Sequence, residues 1–370
     1  MWKVARREMG QIVRQPILWV ATLCVPLFCL LFMVTIFGSG SMNDLTIGAI
    51  DHDHTPTSRT ILRTLDSSPT LHITHHYTST SEAMAALRRG EIYGFVEIPQ
   101  GTTRAMMLGT KTTIPYYYHY ALMSVGGEID TALRTVLTLA SVEPLAEVAT
   151  SLGVSTERIT TFLEPIGVDL HPLDNPTLNY HKWLTAPFFY IMFQIVILLV
   201  TMYSVGMERT RGSGSEWLKL AGGDMFRALI GKLIPYTLIF LLVGLVAVWA
   251  LGSYVALAGP LWWYALLTLL LITSSQALAI FIYSIVPILG ISMSFASMIG
   301  SLGATLSGIT FPIGSMYPIF GYLALALPVR HFTLLTEGAG WIHLVVLIAF
   351  PILPLFTLGR LRNAIISPER

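Results

Sequence analysis

Apolar residues run through this chain in long blocks, and charged residues stay out of them. Between Lys232 and Arg330 stand 97 residues without one Asp, Glu, Lys or Arg. A soluble domain needs charge to cover its surface. A chain in hydrocarbon avoids it, because a charge at the centre of a span costs about 2.5–3.5 kcal/mol on insertion scales. A spanning helix takes about 20 apolar residues, so this block holds about three spans and short connections. The charge-free runs place a first span at residues 17–37 and a second at 183–207. The long block divides into 233–251, 261–283 and 288–311, with breaks at Gly252-Ser253, Gly259-Pro260 and Pro287, and a last span falls at 341–359. The turn at Pro287 carries no charge; without that pair of spans the count drops to four and the parity is unchanged.

Residues 38–182 follow a different pattern. Leu45–Ile50 alternates like a strand, Thr57–Leu65 has helical spacing, and LHITHHY reads as a second strand. Ser81–Arg89 is a helix opened by a Ser cap, IYGFVEIP a strand stopped by Pro99, and TTIPYYYHY a fourth strand. From Val125 to about Leu163 the spacing is helical with a break at Gly153, and 165–182, with Pro165, Pro172 and Pro176, is an extended return. The expected fold is therefore an α-helical polytopic membrane protein of six spans, with an α/β domain inserted between the first and second. No long internal repeat is visible.

With 54% hydrophobic and 12% charged residues, the composition is that of a chain embedded along much of its length rather than held by one anchor. The net charge of +1 hides a segregation: residues 38–185 hold 15 of the 21 acids but 9 of the 22 bases. Residues 1–16, the 208–232 loop and the tail from 360 carry 12 of the 13 remaining bases. The positive-inside rule puts all three segments in the cytoplasm, and six-span alternation does the same independently. Residues 38–182 are then extracytoplasmic and both termini cytoplasmic. Residues 1–14 read as an interfacial helix, with Trp2, Ala5, Met9, Ile12 and Val13 as its apolar stripe and Lys3, Arg6, Arg7 and Arg14 largely elsewhere; the plainer alternative is a basic flank that only sets orientation. Cys24 and Cys29 both lie in the first apolar run, so the polar domain has no disulfide framework. That run is too long for a signal-peptide core, and no cleavable leader is expected.

Enzyme chemistry finds little support. Gly231-Lys232 is followed by Leu233, which lacks the hydroxyl a phosphate loop offers to magnesium, and no nucleophile elbow or His-Glu-x-x-His pair occurs. Eight of the ten histidines fall in residues 38–185. Asp51-His52-Asp53-His54 and His75-His76 have zinc- or copper-ligating side chains, but neighbours on a strand point to opposite faces, and solvated loop imidazoles explain them equally. No metal and no nucleic-acid partner is expected. The first five spans contain no Asp, Glu, Lys or Arg, which argues against a proton-driven carrier. Their polar groups, such as Gln194, Thr201, Thr273, Ser274 and Gln276, read first as helix–helix hydrogen bonds. In the fifth span Ala296-x-x-x-Gly300 and Ala304-x-x-x-Gly308 allow close backbone approach, either to a second copy or within one chain. Thr310–Phe332, with Pro312, Pro318 and Pro328, is too broken to span and too apolar for an exposed loop; a re-entrant or interfacial helical hairpin fits.

One span, a large outer domain and then five spans: this order resembles the type 2 permease family of ABC transporters, in its long bacterial export branch. Met1–Pro16 is similar to the family's connecting helix. Asp51–Ser58, Ala83–Gly90 and Gly94–Gly101 are similar to its outer domain, and Gly231–Tyr236 to the start of its third span. Leu306–Met316 with Leu327–Phe332 is similar to its outer gate hairpin. Two features depart from the pattern: Thr210 stands at a usual acid in Glu208–Glu216 with one extra residue before Glu216, and the turn at Pro287 lacks a polar side chain.

The resemblance implies a permease subunit of an ABC exporter in the bacterial inner membrane. Its own chain would bind no cofactor, with ATP and Mg²⁺ held by a separate ABC ATP-binding subunit. That subunit would dock on the 208–232 loop through Glu208, Arg209, Arg211, Glu216, Lys219, Gly231 and Lys232. Gln194 and Thr201 of the second span and Ser297 and Thr305 of the fifth would face the substrate path. Phe311, Pro312, Met316 and Pro328 would shape the outer gate, and Ala296, Gly300, Ala304 and Gly308 would pack helices. A second permease chain, identical or paralogous, and a periplasmic membrane-fusion adaptor are the other implied partners. Implied substrates are drugs, lipids, glycans or peptides, and the apolar path favours an amphipathic one. The competing function is a membrane sensor or assembly scaffold with a ligand-binding outer domain. It lacks a cytoplasmic output module, since the longest cytoplasmic segment is 208–232.

Overall fold

The computed structural model describes residues 1–38, 40–108, 110, 112–119, 123–151, 179–253 and 259–367. The chain divides into two compact units, Met1–Gly38 with Asn179–Arg370, and Ser39–Leu178.

Among the described residues of the first unit, six helices are long and apolar enough to cross a membrane: Pro16–Ile36, Trp183–Thr210, Met225–Gly252, Leu261–Ile285, Leu289–Leu306 and Ile342–Ile366. They are the first to sixth spans below. A short N-terminal helix, Trp2–Arg14, precedes them. The first span widens to a π-helix over Val20–Cys24, just ahead of Pro26, which has no amide to continue the ladder. The helix of the second span starts at Tyr180, so the end of the anticipated extended return is already helical, while Gly153 and 165–178 lie outside the described residues. In the sixth span Pro351 and Pro354 impose a 3-10 stretch over Phe350–Thr357. Between the fifth and sixth spans two short helices, Pro318–Leu325 and Pro328–Thr336, form a hairpin bent by 88°.

The third span begins eight residues before the first long apolar run suggests, because Asp224 caps it: its Oδ1 accepts the Phe226 amide at 2.9 Å and the Arg227 amide at 3.3 Å. The second, third and fourth spans share a core in which Phe193 meets Phe240 edge-on, with centroids 5.8 Å apart. Neutral polar groups join the spans. Thr237 Oγ1 donates to Gln276 Oε1 at 2.8 Å, and Ser274 Oγ to the Leu347 carbonyl at 2.8 Å.

The second unit holds a four-stranded sheet, β1 (Leu45–Asp51), β2 (Leu71–His76), β3 (Gly94–Ile98) and β4 (Tyr116–Tyr118), in the order β2-β1-β3-β4. β1 runs parallel to β2 and β3; β4 is antiparallel to β3. The parallel strands are linked by the helices Pro56–Asp66 and Thr80–Arg89, as parallel crossovers require. Period-2 alternation fills both faces. Ile47, Ala49, Val96 and Ile98 pack with Leu65 and Leu133 on one side, and Ile50 and Phe95 with Ala83 and Leu87 on the other. The cap anticipated for the second of these helices is Ser79, whose Oγ accepts the Glu82 amide.

The Asp-His-Asp-His segment is a turn built by its carboxylates. Asp51 Oδ1 accepts the amides of Asp53 and His54 at 3.0 Å, and its Oδ2 accepts Ser58 Oγ at 2.7 Å. Asp53 accepts the Gly101 amide at 2.7 Å and both the amide and hydroxyl of Thr103. The two acids are thus engaged in tying β1 to the next helix and to the Gly101 turn.

Candidate functional site

The N-terminal helix meets the rest of the first unit on the face carrying Val4, Ala5, Glu8 and Ile12. The stripe expected from spacing is therefore split. Ala5 and Ile12 are buried, whereas Trp2, Met9 and Val13 are exposed beside Lys3, Arg6 and Arg14. The reason is Glu8, an acid on the packed face. The approach is close: a Cβ on Gly231 would lie 2.6 Å from the Met1 carbonyl oxygen and 2.9 Å from Val4 Cβ. Glycine is what lets the helix settle on the third span there.

Under that helix lies a neutral cluster of four charges. Lys232 Nζ stands 2.7 Å from Glu8 Oε2 and 2.8 Å from Glu208 Oε1, and 5.1 Å over the Trp217 ring. Arg7 grips both Glu208 oxygens, at 2.8 and 3.1 Å. Tyr236 OH donates to Glu8 Oε1 at 2.9 Å, and Ser213 Oγ to Glu208 Oε2 at 2.6 Å. Every carboxylate oxygen is paired. Lys232 and Glu8 are each 1% exposed and Glu208 is 3% exposed. For Arg7, burial opposes the charge, but the hydrogen bond and charge of Glu208, with Glu8 and Glu216 beyond, raise its pKa above the ordinary arginine value. Such a cluster gains little net stability, since desolvating ions offsets their attraction; its value lies in fixing register among the segments that supply it. Those segments are the N-terminal helix, the end of the second span, the start of the third and the loop helix Gly214–Leu220 with Ser213 before it.

This placement sorts the residues expected to meet an ATPase. Gly231, Lys232 and Glu208 are interior and hold the N-terminal helix. Arg209 Nη1 donates to the Pro287 carbonyl and its Nε to the Ser367 carbonyl at 3.2 Å, so it supplies the polar partner that the uncharged turn lacks. Arg211 reaches Gln15 Oε1 at 3.1 Å. Glu216 and Lys219 are exposed on the loop helix.

The four residues expected along a substrate path do not gather in one place. Gln194 and Thr201 are fully buried, while Ser297 and Thr305 are exposed on the fifth span. Gln194 Oε1 accepts the Val329 amide at 2.6 Å. Of the hairpin residues, Phe311 and Pro312 are exposed, Met316 packs with Leu306, Ala324 and Leu327, and Pro328 is buried at the start of the second hairpin helix. Ala296 and Gly300 face inward: a Cβ on Gly300 would lie 2.6 Å from Ile195 Cγ1, so this small face packs on the second span of the same chain. Ala304 joins the main core, and Gly308, with φ 94°, ends the fifth span in the left-handed region. Reading from sequence missed the roles of Glu8, Arg7, Tyr236 and Trp217. The one signal available was Glu8 itself, the lone acid among four N-terminal bases.

Six apolar helices and a charge cluster confined to one end of them define a multi-pass membrane protein. The chain belongs to the ABC-2 transporter family: the family model described as ABC-2 family transporter protein matches residues 16–356. No curated protein and no solved structure matches the chain. Family membership makes it a membrane transport component, the permease of an ABC transporter, and implies an ABC ATP-binding partner.

Proposed function

We propose that the chain is the permease subunit of an exporter, moving an amphipathic substrate out of the cytoplasm or the inner leaflet of a bacterial inner membrane. ATP and Mg²⁺ act on the partner subunit. Both termini are cytoplasmic and residues 38–182 extracytoplasmic, a reading supported by the segregation of bases. The observation that carries the mechanism is the buried cluster of Glu8, Arg7, Glu208 and Lys232. It joins the loop helix, the N-terminal helix and two spans into one block, directly behind the exposed Glu216 and Lys219. A push on the loop helix then moves the second and third spans together instead of dissipating in a flexible loop. ATP-driven closure of the partner shifts the inward–outward equilibrium through its different contacts in the two states. A second permease chain completes the path, with the exposed Ser297 and Thr305 on the fifth span turned toward it, and a periplasmic adaptor joins at residues 38–182.

A photo-crosslinking residue at Glu216 or Lys219, in cells, tests the docking surface. Crosslinks to an ATP-binding subunit are expected from both positions. Efficient crosslinks from exposed Arg360 or Arg362, on the last turns of the sixth-span helix where sequence placed a tail, with none from the loop helix, would move the docking face elsewhere.

A further inference from the structure

The second hairpin helix, Pro328–Thr336, is capped in an unusual way. Its N-cap residue is Leu327, which has no side-chain acceptor, and Pro328 has no amide. Val329 therefore carries the first free donor of the helix, one of those that no intrahelical carbonyl can satisfy. Its acceptor is Gln194 Oε1 of the second span, 135 residues away in sequence and itself fully buried. The next residue reverses the relation. Arg330 Nη1 reaches the Leu306 and Ser307 carbonyls at 3.4 and 3.3 Å, at the C-terminal end of the fifth span where Gly308 turns the chain away. A guanidinium there satisfies orphan carbonyls and meets the negative end of the helix dipole. The third residue in the row, His331, donates Nε2–H to the Leu325 carbonyl at 3.0 Å. Its Nδ1 stands 3.0 Å from Nδ1 of His343 on the sixth span. Donation to the carbonyl fixes the His331 tautomer, so His343 is the donor between the two rings.

Three consecutive residues thus engage three spans. One of these contacts gives the hairpin helix its cap, and another makes the hairpin helix the cap of a span. If the second and fifth spans separate, either the buried Val329 amide or the fifth-span carbonyls lose their partner, and an orphaned buried donor is costly. The Arg330 contacts are long and give way first.

We propose that Val329–His331 is a clasp, with Gln194 and Arg330 as its positioning residues, that holds the hairpin across the closely packed second and fifth spans and must release before those two spans can part. That their parting opens the transport path rests on the permease reading above. Gln194 then acts by holding the hairpin rather than by lining the path.

The test uses the full-length chain in lipid nanodiscs, with Cys24 and Cys29 replaced by Ser. Spin labels go on Tyr322→Cys of the hairpin and Trp262→Cys of the fourth span, both exposed. Hydrogen exchange at the Val329 amide is read in parallel. The unaltered clasp should give one narrow distance population and a protected amide. Gln194→Leu should raise Val329 exchange at least tenfold and add a second distance population. Gln194→Glu, which keeps the acceptor, should restore both. Arg330→Gln should add the second population while leaving the Val329 amide protected. Folded Gln194→Leu and Arg330→Gln chains with the unaltered distance distribution would overturn the clasp, whatever the amide does. If Gln194→Leu fails to fold, Arg330→Gln and Gln194→Glu decide the matter on the same readouts. None of these measurements involves the ATP-binding subunit, so a failure of the permease reading would show separately, as absence of that partner.

Discussion

Replacing Lys232 by Met is the sharpest perturbation of the buried charge cluster. The side chain keeps nearly the same length and loses its charge. Glu208 retains Arg7 on both oxygens and Ser213, but Glu8 is left with the Tyr236 hydroxyl alone, at 1% exposure. Removing one partner of a buried pair costs about 3–5 kcal/mol, mostly the penalty of the orphaned charge. At 1.4 kcal/mol per factor of ten, docking of the N-terminal helix weakens by roughly two to three and a half powers of ten. The second substitution reverses the sign. Adding Glu8→Gln removes the orphan, keeps an acceptor for Tyr236 and leaves a neutral Arg7–Glu208 pair, which should recover about 1–3 kcal/mol. The double variant is therefore more stable than Lys232→Met alone. Hydrogen exchange over residues 2–14 reads the docking, and thermal melting in detergent reads the unit as a whole. A double variant as unstable as the single, or less stable, would refute the reasoning that the cluster is held by charge balance.

Glu216→Arg should weaken association with the ATP-binding subunit at least tenfold and leave the melting temperature unchanged; unaltered binding would remove that residue from the interface. Gly300→Leu places a side chain where even a Cβ is 2.6 Å from Ile195 Cγ1, and overpacking of this kind costs about 1–3 kcal/mol or more, visible as a lower melting temperature. Normal melting would mean the small face is incidental. Partial burial pushes the Asp53 carboxyl up, but hydrogen bonds from the Thr103 hydroxyl and amide, the Gly101 amide and the Thr55 hydroxyl outweigh it and hold its pKa below the ordinary aspartate value. A depressed folded pKa adds stability above the unfolded value that disappears as pH falls through the folded one. Protection of the Gly101 and Thr103 amides, corrected for the intrinsic pH dependence of exchange, should therefore fall as pH drops below the ordinary aspartate range, and Asp53→Asn should flatten that fall; an identical acid profile in the variant would assign it to other groups.

The spans were legible because hydrocarbon excludes charge, and the strands of the second unit because one face alternates with the other. What composition could not see was pairing at a distance. A start at 233 for the third span follows from treating Lys232 as a boundary, yet the helix runs back to Met225 because that charge is neutralised by Glu8, 224 residues away. The same blindness put Glu208, Gly231 and Lys232 among surface residues, whereas they lie in the interior beneath the N-terminal helix. Helical spacing recognised the N-terminal helix as amphipathic but chose a stripe without Glu8, since an acid is normally turned to water. Gln194 was placed on the substrate path by resemblance, beside its plainer reading as a helix–helix hydrogen-bonding group. Its partner is a backbone amide, which no side-chain pattern reveals. Gly308 matched a small-residue repeat but stands where the fifth span ends, and there its φ of 94° rather than its size explains it.

Affinity purification of the tagged chain from native membranes in mild detergent, with mass spectrometry of what accompanies it, tests the central claim most directly. A permease driven by a separate motor predicts a stoichiometric ABC ATP-binding subunit that is lost or depleted when Glu216 is changed to Arg. A pure preparation without any ATP-binding subunit, repeated after crosslinking, would contradict the account and favour a sensor or scaffold.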